Sequence, residues 1–244
     1  MDRDQKGLAI AVRSVDSGEN SRIITLLGPS IGIIEAVFYG ARKSTRGIKV
    51  PVYAEGSYSL YRNGENGRWS IKDVDVISYH EPVSQDLGKS MAAMLFSELA
   101  MASGSADAML YSLFVSALDA LEDHDEEKVA IDYIVHYMSS FGQSGNWRSC
   151  PLCQREYRDD EVIGFSAMEG VASCSDCDTM SMSFPLPPNA RKYLMRTLEL
   201  GFGDALRLSA SKEQTHRIFR YMLRTLGMVF PGRLRSLEYG IWDL

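Results

Sequence analysis

Cysteine is scarce in this chain of 244 residues, which has four, and so is histidine, also four. His80, His124, His136 and His216 are scattered without ligand spacing, so each is expected at the surface or at a helix cap, not as a general base. No stretch is apolar enough to span a bilayer. Met1-Asp2-Arg3-Asp4 runs straight into a polar–apolar alternation, with no apolar run of signal length. The expected compartment is therefore cytoplasmic and reducing. Catalytic signatures are missing too: there is no G-x-S-x-G elbow, no dinucleotide fingerprint, no H-E-x-x-H helix and no G-x-x-x-x-G-K-[ST] phosphate loop. These absences lower the prospect of an enzyme and direct attention to binding.

The four cysteines themselves are organised. They form two pairs, Cys150-Pro151-Leu152-Cys153 and Cys174-Ser175-Asp176-Cys177. A C-x-x-C pair brings two sulfurs to one ion from a single turn, and a second pair completes a tetrahedral thiolate cage, the pattern of structural Zn2+. Four thiolates leave no position open for water, so such an ion braces a loop and performs no chemistry. Two disulfides or a redox pair are the other accounts. A reducing compartment disfavours the first, and the second lacks the strand-then-helix setting that lowers a thiol pKa.

Net charge is −6, but it is unevenly spread. Lys plus Arg against Asp plus Glu number 11 and 9 over residues 1–80, 5 and 18 over 81–185, and 10 and 5 over 186–244, giving +2, −13 and +5. Basic charge at the two ends suggests a polyanionic partner for some surfaces.

Period-two runs at Leu8–Val15, Arg22–Leu27, Ile33–Tyr39, Gly56–Tyr61 and Trp69–Ile77 are separated by turn signals such as Ser17-Gly18-Glu19-Asn20 and Gly28-Pro29. Five short strands in 80 residues predict a small, partly open barrel of the OB type. From Pro82 the period becomes helical. Leu87, Met91, Met94, Leu95 and Leu99, then Met109, Leu110, Leu113, Phe114, Leu118 and Leu121, then Ile131, Ile134, Val135 and Met138 predict three core helices. The acidic run Glu122–Glu127 lies before the third, where carboxylates can cap it. Asp159-Asp160-Glu161 reads as solvated. Pro185-Leu186-Pro187-Pro188 opens another helix through Leu200, and Ser211 with Gln214 forms a capping box for a last one that turns Ile218, Phe219, Met222, Leu223 and Leu226 inward. The fold class is thus α+β: a barrel over residues 1–80, then a helical domain over 81–244 with a zinc-binding insertion at about 147–184.

Two cationic groups stand out. Gly40-Ala41-Arg42-Lys43-Ser44-Thr45-Arg46-Gly47-Ile48-Lys49 holds Arg42, Lys43, Arg46 and Lys49 with no acid among them. Such a loop can follow phosphates without demanding a base sequence. Phe38, Tyr39, Tyr53, Tyr58, Tyr61 and Trp69 lie on or beside strands, where outward-facing members can stack on bases. The competing account is that the aromatics are barrel core and the cations ordinary surface. Arg217, Arg220 and Arg224 share one helix face beside Phe219 and Leu223. They suit an acidic peptide with a hydrophobic anchor, or else they neutralise the acidic central segment of the same chain.

In combination these residues resemble the RecO family of bacterial recombination mediators. Ala9–Val15, Gly18-Glu19 and Ile23-Ile24-Thr25-Leu26 are similar to the family's first hairpin. Gly32-Ile33-Ile34 and Gly40-Ala41-Arg42-Lys43-Ser44 resemble its Gly-x-Ile stretch and Gly-Ala-Arg-Arg/Lys loop. Leu113-Phe114 to Leu121 resembles its Leu-Phe helix, and Phe165 with Gly170-Val171 its approach to the second cysteine pair. The chain departs from the pattern at Gly47-Ile48-Lys49-Val50-Pro51, where the family has more basic residues and Leu-Gln-Pro, and over its last 50 residues, which match weakly. The resemblance implies a non-catalytic protein that binds single- and double-stranded DNA and anneals complementary strands. With RecR it would help RecA replace the single-stranded DNA-binding protein, whose acidic C-terminal tail the family contacts through its helical region. A zinc-stabilised adaptor that binds protein alone, or a metal-dependent nuclease, are the other classes open to these residues.

Overall fold

The computed structural model describes residues 4–40, 50–64, 67–104, 107–142, 145, 147–166, 171–177, 185–230, 232 and 234–238. The chain forms two compact units, Met1–Glu122 and Asp123–Leu244. The first opens with five strands, β1 (Asp4–Ser17), β2 (Ser21–Gly28), β3 (Gly32–Phe38), β4 (Glu55–Arg62) and β5 (Trp69–Ser78). They close into a barrel in the order β1-β2-β3-β5-β4.

Closure depends on β1, which is long enough to pair twice. Asp4 to Ile10 run antiparallel to β4, and Ile10 to Ser17 run antiparallel to β2, with the register shifting between Ala11 and Arg13. A bulge of that kind bends and twists a strand, which lets one segment turn a barrel corner. A short parallel contact, Ala36 opposite Trp69 and Val37 opposite Ser70, joins β3 to β5 and closes the ring. The interior alternates small and large residues: Ala9, Ala11 and Ala36 lie among Ile24, Leu26, Tyr58 and Leu60. Tyr58 is fully buried and donates its hydroxyl to the Ala54 carbonyl at 2.7 Å, so its one polar atom is satisfied. Gly56 allows β4 and β5 to close up, since a Cβ there would lie 2.4 Å from the Asp75 carbonyl oxygen.

Strands give way to helices between Ser78 and Glu81, with α1 (Glu81–Gln85), α2 (Leu87–Ala102) and α3 (Ala108–Asp123) completing the first unit. Met91, Leu95, Leu99, Leu110, Phe114, Leu118 and Leu121 are buried as their period requires. Leu87 and Met109 are not: they sit in the first turns of α2 and α3, beyond the packed face, and are 70% and 54% exposed. His80, expected at the surface or as a cap, stands at the N-cap position of α1 in the left-handed region (φ 45°) but makes no side-chain cap bond. Its ring is buried because carboxylates receive it: Nδ1 lies 3.1 Å from Glu122 and 3.6 Å from Asp119, and Nε2 lies 3.9 Å from Glu55.

The second unit contains α4 (Glu126–Ser140), a small sheet of β6 (Ile163–Ser166), β7 (Val171–Ser173) and β8 (Pro185–Leu186) in the order β7-β6-β8, then α5 (Pro188–Glu199), a 3-10 turn at Ala205–Arg207, α6 (Lys212–Val229) and α7 (Arg235–Glu238). Asp125 and Ser211 cap α4 and α6 by accepting the Lys128 and Gln214 N–H groups. Ile131, Ile134, Val135 and Met138 of α4 are buried, as are Ile218, Phe219, Met222, Leu223 and Leu226 of α6. Among the described residues no helix is long and apolar enough to cross a membrane.

On the buried helix α4, Asp132 is a costly residue. Its Oδ2 accepts the Gly203 N–H at 3.0 Å and its Oδ1 faces His136 Nε2 at 3.3 Å. Burial outweighs these contacts and pushes its carboxyl up to about 7. Because the folded-state value lies above the unfolded one, the group's stabilising contribution is present at acid pH and is lost as pH rises from about 4 to about 7. Asp132→Asn should therefore remove a downward trend in melting temperature across that window and match or exceed the wild type at pH 8. Parallel melting curves for the two proteins would refute the assignment.

Candidate metal centre and cationic cavity

The segment between α4 and α5 buries Trp147, Tyr157, Ile163, Phe165 and Leu186, and beside this small apolar core it gathers its four cysteines. Their four sulfurs lie within 4.8 Å of one another, and Cys153 Sγ and Cys174 Sγ are 3.8 Å apart. A tetrahedron with metal–sulfur bonds of about 2.3 Å has an edge of about 3.8 Å, so the residues fit one thiolate-bound ion. Two knuckles present them. In the first, the Gln154 N–H returns to the Cys150 carbonyl and the Cys150 N–H donates to the Arg155 carbonyl, each at 2.8 Å, with Gln154 in the left-handed region (φ 61°). In the second, the Cys177 N–H donates to the Cys174 carbonyl at 3.0 Å, and the Cys174 N–H points at Cys150 Sγ at 3.5 Å.

Burial pushes the Cys150 thiol up, but N–H donors from Cys174, Cys153 and Leu152 outweigh burial and lower its pKa, whereas hydrogen bonding from Cys153 and Cys174 raises that of Cys177. A bound ion would take all four sulfurs as thiolates and release their protons.

Glu161 ties the knuckles together. It was expected to be solvated, yet it is only 7% exposed. Arg155 holds it by two N–H···O bonds of 2.9 and 2.7 Å, the Arg158 N–H reaches it at 2.9 Å, and Ser175 on the second knuckle donates both its N–H and its hydroxyl. The Arg155 guanidinium first, and these backbone donors with it, hold the Glu161 carboxyl at about 2. Arg191 fastens the loop to α5: its buried guanidinium donates to the Trp147 and Arg158 carbonyls at 3.1 and 2.8 Å and lies 5.3 Å from the Tyr157 ring centre. Neither residue carries a sequence signal that separates it from an ordinary surface charge.

Arg217, Arg220 and Arg224 line a cavity of about 370 Å³ together with Glu213, His216, Tyr221 and Pro185. Arg217 pairs within its helix to Glu213 at 3.3 Å, whereas the buried Nε of Arg220 has no hydrogen-bond partner. The acidic run does reach α6, through Glu127 and His216 at 2.6 Å.

Arg42, Lys43, Arg46 and Lys49 lie outside the described residues. The aromatics near them separate clearly. Phe38, Tyr53 and Tyr58 belong to the interior, Tyr61 has Lys72 Nζ 4.6 Å above its ring, Trp69 has Arg62 at 5.6 Å, and Tyr39 is 70% exposed.

Purified protein should carry one metal ion per chain. Cys150→Ser should lose it, and Glu161→Gln, with all four thiols intact, should release it to a chelator about tenfold faster or more, as loss of a supporting partner does at other sites. Unchanged metal content in Cys150→Ser, read by elemental analysis, would rule out the cage.

Comparison with known proteins places these features in a family. The model described as "Recombination protein O C terminal" matches residues 84–238, a span that includes both knuckles and the cavity arginines. The chain is 24% identical over 220 residues to DNA repair protein RecO of Dehalococcoides mccartyi, covering 86% of this chain and 84% of that one. It is 32% identical over 181 residues to DNA repair protein RecO of Bifidobacterium animalis subsp. lactis, covering 70% and 73%. It is also 21% identical over 240 residues to that of Clostridium novyi, covering 96% and 92%. With a family model over more than half its length and relatives matched along most of theirs, the chain belongs to the Recombination protein O family.

Proposed function

We propose that this protein is a non-catalytic, DNA-binding recombination mediator in DNA repair, acting in the cytoplasm at the nucleoid. It anneals complementary single strands and, with RecR, promotes loading of RecA on DNA coated with single-stranded DNA-binding protein. The observation that carries this reading is the family match across residues 84–238, supported by relatives named as DNA repair proteins over most of the chain. In this reading the closed barrel is an OB-type platform over residues 1–80, and residues 81–244 form the helical part.

Arg42, Lys43, Arg46 and Lys49 are assigned to backbone phosphates, where four cations without an acid suit sequence-independent binding. One Zn2+ held by Cys150, Cys153, Cys174 and Cys177 is structural, because soft thiolates in a closed set of four leave no site for substrate. Arg217, Arg220 and Arg224 are assigned to the acidic C-terminal tail of the single-stranded DNA-binding protein. The three guanidinium groups on one cavity wall suit carboxylates, which arginine can bind by paired N–H donors. Annealing needs charge neutralisation and strand apposition, so no catalytic residue is required.

Annealing of complementary strands precoated with the cognate single-stranded DNA-binding protein tests both halves of the assignment. Neutral substitution of Arg42 and Lys43 should flatten the slope of log affinity against log salt by roughly 1.4 units on single strands. Arg220→Ala with Arg224→Ala should leave binding to naked oligonucleotide unchanged and slow annealing only on coated strands. A wild-type protein that shows no salt-sensitive oligonucleotide binding is an adaptor, and the proposal then fails.

A further inference from the structure

The four cysteine sulfurs lie together but are not equally open. Cys150 and Cys174 are fully buried, Cys177 is half-buried, and Cys153 is exposed at the tip of the first knuckle, between the exposed Leu152 and Gln154. Free thiols differ in reactivity largely through how much thiolate each holds, but an ion in the cage takes all four sulfurs as thiolates. Access is then what separates them, and a small oxidant arriving from solvent meets Cys153 first.

A partner for Cys153 lies across the cage. Its Sγ is 3.8 Å from Cys174 Sγ on the second knuckle, so Cys174 is closed to solvent yet beside the one exposed sulfur of the described cluster. Glu161 keeps the two knuckles in register without help from sulfur. It is held by Arg155 and the Arg158 N–H on one side and by the Ser175 N–H and hydroxyl on the other, and Arg155 also reaches Asp176 at 3.1 Å. Oxidation of Cys153 leaves these contacts intact, and Cys174 stays opposite it.

We propose that Cys153 is an oxidation site, and that a peroxide converts the cage into a Cys153–Cys174 disulfide across the two knuckles. The inference rests on the thiolate cage proposed above and adds its response to oxidant. The Cys153 sulfur attacks the peroxide and the O–O bond breaks. One oxygen stays on sulfur as sulfenic acid, and the other leaves as water. The Cys174 sulfur then attacks the Cys153 sulfur: an S–S bond forms, the S–O bond breaks, and the hydroxide takes a proton and leaves as water. Two thiols have lost two electrons, one hydrogen peroxide has become two waters, and the closed set of four thiolates is halved. A thiol reductant reverses the bond, since oxidation has stopped short of sulfinic acid.

The test uses the full chain, purified under reductant with its metal, then freed of reductant and exposed to hydrogen peroxide. A chromogenic chelator reads metal release, and peptide mass spectrometry reads the bond. Cleavage after Arg148, Arg155 and Arg158 leaves Cys150 and Cys153 on one peptide and Cys174 and Cys177 on another. The proposed bond therefore links two peptides, a bond within a knuckle links none, and fragmentation names the cysteines joined. Metal release and the Cys153–Cys174 link should appear together, alkylation after brief exposure should show Cys153 as the first thiol lost, and dithiothreitol with fresh Zn2+ should restore both metal and thiols. Metal retained through peroxide, a first loss at another cysteine, or a main bond between any other pair overturns the inference while the cage stands. Protein that purifies without metal removes both.

Discussion

Double pairing of β1 is the constraint from which the first unit follows. A fourteen-residue strand with a register shift near its middle satisfies β4 along one half and β2 along the other, and the short contact of β3 with β5 then closes the ring. Closure shortens the edges that would otherwise invite pairing with other chains. It also settles the direction of every side chain, because a period of two allows only inside or outside. Phe38 and Tyr58 become core and Tyr39 becomes surface for that reason, although all three are aromatic residues of the same stretch of chain.

The cysteine loop follows a different principle. Trp147, Tyr157, Ile163 and Phe165 give the segment only a small apolar core, and so small a core needs further interactions to offset its ordering entropy. Four clustered cysteines, a buried carboxylate and a buried guanidinium supply them. Glu161 accepts from both knuckles, so it braces the cage from outside the thiolate set, and Arg191 fixes the loop carbonyls to α5. A metal ion held by these sulfurs would be one member of a polar network, and that network accounts for the burial of Glu161 and Arg191.

Charge along the chain is partitioned to match. The central residues carry the acid, part of which faces histidines, Glu122 at His80 and Glu127 at His216. Cations concentrate in residues 41–49 and on α6, where three arginines border one cavity. A net charge of −6 does not exclude attraction of polyanions, because that attraction is screened within about 10 Å and responds to the local charge and not the net one.

The five strands, the helix starts at Asp125 and Ser211, and the thiolate pairs were legible from the chain alone, because each is a local matter: alternation, a capping oxygen within three residues, two sulfurs on one turn. Membership of a family was legible for the same reason, through short motifs in order. Burial of His80 and Glu161 and the rise of the Asp132 carboxyl were not. Each depends on partners brought from distant sequence, by 42 residues for His80 and Glu122 and by 14 for Glu161 and Ser175. Local chemistry determined which elements form and which atoms can bind a metal. Tertiary structure alone decided which charges are buried and which aromatic rings face out, because desolvation and register are properties of neighbours that the linear order does not name.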